Sequence, residues 1–535
     1  MRHTPILLTL VALLLSLVAG CQQAAPQIVT VVQTVVVERE AEPLVVVETV
    51  EVTRQVEKVV TVEVTPAAAL SREGQTATIA TFAGPQVAGL ERRAQTFKAL
   101  TGATISLEAI DPAVLPDLLL NDLASGANRF DGFVISPQWL ADYVEPGYLL
   151  DLTERVQADP ALAWTDIAPF FREISARYQG RVYAIPLDSG LLMLYYRTDV
   201  LEEIGMAPPQ TWDEYVEVAA VATGLDMNVD GEQDFGSCLG LAPGGLAEPL
   251  FLAMVAPTMQ VEGSRQGAFF TAETFEPLID NPGVKRALAL YKENLKYGPP
   301  DPDQLSLADT RQLMLAGRCA LTIDFGDLGK PAVGPEPSLH RNELVAALLP
   351  GSKEVLDRQT GQLVECQVRQ GNCPYAVEEV NYAPLAAGGG WAGAVNAAAT
   401  ESGQTVAYEF LSYLSAPAQA NVDVTQPAGF NPYRISQYLN RQPWVEAGLS
   451  PLAARNYLRA IEDTLTLTEP VLDLRVPGRD RYQAGLLAET LSRYQAGELT
   501  TDEAAAALRE QWAALTAELG RDQQLATYRA SLGLE

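Results

Sequence analysis

From Thr76 onward, short apolar runs rich in β-branched residues alternate with amphipathic segments, and this alternation constrains the fold more than any other feature of the chain. Thr78-Ile79-Ala80-Thr81-Phe82 reads as a strand, Gly89 to Leu100 as an amphipathic helix and Ala103 to Ile110 as a second strand. Leu115 to Ala124 then has helical spacing, and Asp131 to Ile135 is a third strand. Pro137 to Val144 is a helix opened by a proline, which suits the first helical turn. The pattern predicts an α/β fold with a largely parallel sheet. Such sheets bind ligands at the carboxyl ends of their strands, which here selects the loops at Phe82 to Pro85 and Ser136 to Trp139.

The amino-terminal segment determines where such a fold would work. An apolar run from Ile6 to Leu17 follows Arg2 and His3 and leads into Val18-Ala19-Gly20-Cys21, an arrangement that resembles a bacterial lipoprotein signal. Residues 1–20 are therefore expected to be a signal peptide and Cys21 the lipidated mature terminus, which makes the protein extracytoplasmic and anchored to the cell membrane. The formal net charge of -30 argues against nucleic acid or an anionic lipid surface as a partner, because both would repel the chain. From 21 to 75 Val, Thr and Glu dominate, with Val-Val-Val-Glu at 35–38 and again at 45–48. A spacer is expected, lifting the folded part about 40 Å from the membrane as a coil. The rival is an oligomeric stalk, since Val45, Val52 and Val59 are seven apart; a monomer is the expectation.

A mature chain of this length exceeds what one core usually supports, so two lobes are expected. The four cysteines after Cys21 imply two disulfides in an exported protein, with three connectivities open. Cys366 with Cys373 is favoured, because the short loop between them carries a Gly-Asn turn. Cys238 with Cys319 follows by elimination, with free buried thiols as the alternative for that pair.

Further segments carry a resemblance. These are Asp131 to Leu152, Gly180-Arg-Val-Tyr-Ala-Ile-Pro-Leu-Asp188, Leu194-Tyr-Tyr-Arg-Thr-Asp-Val-Leu201, Pro209 to Tyr215, Phe410 to Ala420 and Gly429-Phe-Asn-Pro-Tyr-Arg434. Together they resemble family 1 extracellular solute-binding proteins, the group of maltose-binding protein. The resemblance implies a two-lobe, type II periplasmic-binding-protein-like fold with hinge strands. It also implies capture of a small solute, a sugar or oligosaccharide, and delivery to the permease of an ABC importer. The lobes are expected at 76–187 plus 345–402 and at 188–344 plus 403–535.

Sugar recognition needs flat apolar faces and side chains that take paired hydroxyl hydrogen bonds. Trp391, set in Gly388-Gly-Gly-Trp-Ala-Gly393, is expected to stack on a ligand, its glycines leaving the indole without neighbours. Asp324, Phe325 and Asp327 follow the apolar strand Cys319 to Ile323, Asp188 and Ser189 lie at the expected hinge, and Phe82, Gln138 and Trp139 are on the strand-end loops. Asp324 as a helix cap and Trp139 as core are the structural alternatives. Tyr195-Tyr196 is read as packing rather than ferric-iron ligation, since a strand sends neighbours to opposite faces. Asp226, Asn228, Asp230, Glu232 and Asp234, with Gly231, match an EF-hand-type loop except that Ser237 stands where a bidentate Glu is needed. A weak structural calcium ion is expected there.

Catalysis has little support. Signature motifs for metalloproteases, serine hydrolases and phosphate-binding loops are missing, and His340 is the one histidine after the signal. The protein is therefore read as a binder and not an enzyme. The alternatives are a lipid-anchored carbohydrate-active hydrolase, for which paired carboxylates suffice, and a structural surface protein on the Val-rich stalk.

Overall fold

The computed structural model describes residues 71–330, 343–386, 389–427, 429–467 and 470–534. The signal peptide, Cys21, nearly all of the 21–75 spacer and His340 lie outside the described residues. Among those described, no helix is long and apolar enough to cross a membrane.

The first sheet has the strand order 104–110, 76–82, 132–135, 392–395, 184–186. Its first three strands run parallel, and 392–395 is antiparallel to both neighbours. Alternation along these strands feeds two cores. Ala77, Ile79 and Val134 face the helices Val87–Thr101 and Glu401–Ser415, while Ala80, Phe133 and Ile135 face Leu115–Ala124 and the turn beyond Pro137. Both faces are covered, as a mostly parallel sheet requires. Phe97 meets Phe410 edge-on at 5.4 Å between ring centroids, and each such buried side chain contributes about 2 kcal/mol.

The second sheet has the order 344–347, 192–197, 319–325, 235–237. Leu192 and Leu194 point to one core, with Trp212, Phe251, Phe270 and Trp512; Met193 and Tyr195 point to the other, with Trp444 and Tyr457. Tyr195 is buried and donates to the Phe325 carbonyl at 3.0 Å, whereas Tyr196 packs on the opposite face. The helix Trp212–Ala222 starts at a capping box, in which Thr211 Oγ1 accepts from the Glu214 amide and Glu214 returns the bond. Disulfides join Cys238 to Cys319 and Cys366 to Cys373.

Two of the expected lobe boundaries need correction. Leu344–Ala347 pairs with the strand Leu192–Arg197, Val345 opposite Tyr196, so the chain from 345 to 386 stays with the second lobe instead of returning to the first. Glu401–Ser415 packs on the first sheet through Val406, Phe410 and Leu411, so that helix belongs to the first lobe. The reason is physical: alternation shows that a segment is a strand, but its partners lie elsewhere in the chain.

Among the described residues the chain passes between the lobes at Leu187 to Leu191, between Ala386 and Gly389, and between the helices ending at Asp423 and starting at Ile435. The first two touch backbone to backbone. A Cβ on Gly190 would sit 2.6 Å from the Gly390 Cα, and one on Gly390 would sit 2.1 Å from the Asp188 carbonyl oxygen, so only glycine fits either place.

Candidate functional site

The carboxyl edge of the first sheet gathers three of the expected aromatics. Phe82 ends one strand, Trp139 follows the next, and Trp391 immediately precedes the antiparallel strand Ala392–Val395, which brings it to the same edge. Phe82 and Trp391 stack with centroids 3.6 Å apart and planes 17° from parallel. Trp139 meets the Trp391 ring edge-on at 6.0 Å. The expectation that glycines leave the Trp391 indole without neighbours is thereby corrected: it is half-buried against two rings. Trp139 is 9 % exposed and belongs largely to the core.

Gln138, on the same loop, reaches the other lobe. Its Nε2 donates to Asp473 Oδ2; Asp473 also accepts from Gln483 at 2.7 Å and pairs with Arg479 at 2.8 Å. A cavity between the lobes lies beside this contact, lined by Gln138, Phe170 and Ser175 of the first lobe and by Leu472, Asp473 and Arg475 of the second. Its volume, about 10 Å³, is that of about one water. In this conformation it admits nothing larger. A second cavity of about 50 Å³ sits on the flank of the first lobe, beside Leu90, Leu414 and Phe430. Of its lining groups, Arg93 and Asp423 are paired with each other at 2.6 Å, and Arg92, Gln86 and Gln426 also line it.

The expected acidic residues lie elsewhere, in a buried node that ties the crossings together. Asp324 is 1 % exposed and held by both Arg311 nitrogens at 2.6 and 2.7 Å, with the Phe325 amide on the same carboxylate at 2.6 Å. Asp327 accepts from Arg311 and from Asn431 Nδ2, each at 3.2 Å. Asp188 accepts the Asn431 amide at 2.6 Å, linking the first crossing to the third. Lys330 donates to the carbonyls of Gly429, at 2.6 Å, and Phe430. Burial, with the Asp327 charge adding, pushes the Asp188 carboxyl up to about 7. Burial brings the Lys330 ammonium down to about 8 against the pull of Asp327 and Asp188. Burial also raises Asp324, opposed by Arg311. Ser189 is buried beside Asp188, and Phe325 packs partly on the second-lobe core. Asp324 caps no helix; its carboxylate is held by Arg311 and by the Phe325 amide at its own strand end.

The expected calcium ligands are not gathered around one point. Asp226 accepts the amides of Asp230 and Gly231 at 3.0 and 2.9 Å, and Asn228 donates to Asp230 at 2.9 Å. Arg318 takes Glu232 at 2.9 Å and Asp234 at 2.8 Å. Among the described residues no group of three or more His, Cys, Asp or Glu is placed to hold a metal ion.

Sequence reasoning missed Asp473, Arg475, Arg311 and Lys330. The first two carried a legible signal: they alternate with Leu472, Leu474 and Val476, which puts two charges on one face of an otherwise apolar extended segment.

The profile of the bacterial extracellular solute-binding protein family matches residues 83–421, more than half of the chain. A mannitol-binding protein of Pseudomonas aeruginosa is 26 % identical over 265 residues, 49 % of this chain and 57 % of that protein. Binding proteins of Brucella abortus are 24 % identical over 243 residues, 44 % of this chain and 54 % of theirs. The chain thus matches little more than half the length of these curated relatives. A solute-binding protein of Agrobacterium radiobacter K84, solved with ribitol, superposes with a TM-score of 0.65 at 20 % identity, covering 84 % of this chain and all of the other. A maltose-bound protein from T. maritima gives 0.63 at 18 % identity, covering 82 % and 99 %. Both likenesses show the two-lobe fold.

Proposed function

Because this chain belongs to the bacterial extracellular solute-binding protein family, we propose that it captures a sugar or sugar-derived solute between its lobes and delivers it to the permease of an ABC importer. The observation that carries this reading is the Phe82, Trp139 and Trp391 cluster at the carboxyl edge of the first sheet, beside a cleft crossed by Gln138. Aromatic faces next to a few convergent polar groups are what carbohydrate recognition requires. The ligands named for the mannitol-, ribitol- and maltose-binding relatives support the same class. The family match favours a binder over a hydrolase or a stalk protein. A thermal-shift screen of sugars and polyols tests it, since a ligand at 100 times its Kd adds about 2.7 kcal/mol of stability; a screen with no shift counts against it.

The proposal includes a monomer held to the membrane by lipid on Cys21 and spaced from it by residues 22–75. Cys21→Ser should release a soluble protein with unchanged affinity, and retention of that variant in the membrane fraction argues against the anchor. Calcium in the 226–234 loop is proposed as weak and structural, with the ion displacing Arg318 from Glu232 and Asp234.

A further inference from the structure

Arg475 is a buried cation without an acid. It is 8 % exposed, its Nη2 donates to the Arg177 carbonyl at 2.8 Å, and its Nε has no partner. No ion pair among the described residues includes it, and the neighbouring acids are committed elsewhere. Asp473 is taken by Arg479, Gln483 and Gln138, and Glu145 by Tyr178 at 2.6 Å and Gln179 at 2.9 Å. Burial alone brings the guanidinium down to about 10, with Tyr178 the one group that favours its charge. Buried charges in folded proteins are normally paired, because an unpaired one is costly to take out of water. This one lines the interlobe cavity, opposite Gln138 and Ser175 and beside the Phe170 ring.

We propose that the solute is an acidic sugar whose carboxylate binds Arg475 as the lobes close, with Gln138 turning from Asp473 to the ligand and the sugar face lying toward the aromatic edge. This rests on the reading that the interlobe cleft is the solute site. A planar guanidinium with free N–H groups is shaped for a paired oxyanion contact. Closing on an anion supplies the counter-charge that the chain withholds, so the lobes should close more completely around an acid than around its neutral parent.

Matched pairs on one skeleton make the test: glucose against glucuronate and gluconate, galactose against galacturonate, with glucose 6-phosphate separating phosphate from carboxylate. Calorimetry on the full mature chain should find a sugar acid bound at least about tenfold tighter than its neutral parent. Arg475→Gln should lower the acid's affinity at least about thirtyfold, as expected for truncating one side of a buried charge pair. It should change binding of any neutral sugar little, and it should raise the melting temperature of the free protein, since a costly unpaired charge is removed. Neutral sugars bound tighter than their acids would overturn this inference and leave the proposed function standing; no binding by any member of the pairs would count against both. If Arg475→Gln fails to fold, the structural role wins, unless Arg475→Lys folds and keeps the preference for acids. A phosphate ester preferred over every carboxylate would also overturn the assignment to a sugar acid.

Discussion

The aromatic edge of the first lobe and the ionic node at the crossings lie at opposite extremes of the same molecule. At the edge, Phe82 at a strand end and Trp391 just before a strand are half-buried rings that stack on each other and pack against both cores of the first lobe. At the node, Asp188, Asp324 and Lys330 are each buried to within 4 % of completely; Asp188 and Lys330 hold the third crossing through Asn431, Gly429 and Phe430, and Asp324 holds Arg311. The first arrangement leaves faces free for a ligand. The second spends much of its hydrogen-bonding capacity on the chain itself, which suits a part that keeps its geometry in a hinge motion.

The sharpest way to break the contrast is Asp324→Ala, which strands the Arg311 guanidinium. It should cost about 3 to 5 kcal/mol of stability, read by denaturant unfolding, with ligand affinity per folded molecule nearly unchanged. An affinity loss without a stability loss would move Asp324 back to the binding site. Trp391→Ala should do the reverse in proportion. Binding should weaken by about 1 to 3 kcal/mol, by analogy with other stacking contacts, and loss of the Phe82 stack should cost about 1 kcal/mol of stability beyond the buried area. Normal binding with a large fall in melting temperature would make Trp391 structural.

The node also predicts a pH signature that the aromatic edge lacks. Asp188 binds its proton more tightly folded than unfolded, so its contribution to stability is full below the ordinary aspartate range near 4 and is lost as pH rises to about 7. Lys330 titrates lower when folded, so stability regained from it appears between about 8 and the ordinary lysine range near 10.5. Stability should therefore dip between pH 7 and 8, and Asp188→Asn should flatten the acid limb; an unchanged limb in that variant refutes the assignment. The smallest effect is expected at the 226–234 loop. Chelator should lower the melting temperature slightly and Asp230→Ala should abolish the difference, whereas complete insensitivity of the parent protein removes calcium from the account.

Much of the first lobe was legible in advance. The strands ending at Phe82 and Ile135 and the helices after them stand where periodicity placed them, with ends shifted by a few residues, and the three aromatics at their ends do meet. Asp324 and Asp327 were read together after one strand and Asp188 separately at the hinge, and the structure brings the three into one node. Nothing in their own neighbourhoods shows that Arg311 and Asn431 satisfy them, since those partners come from a helix and a crossing remote in sequence or outside the motif. Arg475 shows the same limit from the other side: its apolar neighbours were visible, while the lack of a nearby acid is a property of the packed molecule.

The sequence by itself determined the α/β alternation, the Cys366–Cys373 pair favoured from its short loop, the opposite faces of Tyr195 and Tyr196, and which loops would lie at the carboxyl edge of the first sheet. Each follows from local periodicity or short loops, whose physics is contained within a few residues. Only the tertiary structure decided that Leu344–Ala347 joins the second sheet and Glu401–Ser415 the first, that the hinge acids are spent on Arg311 and Asn431, and that Arg475 is buried without a carboxylate. Strand partners and charge partners are chosen by packing between distant segments, and in a chain that passes back and forth between its lobes those segments meet only once the whole has folded.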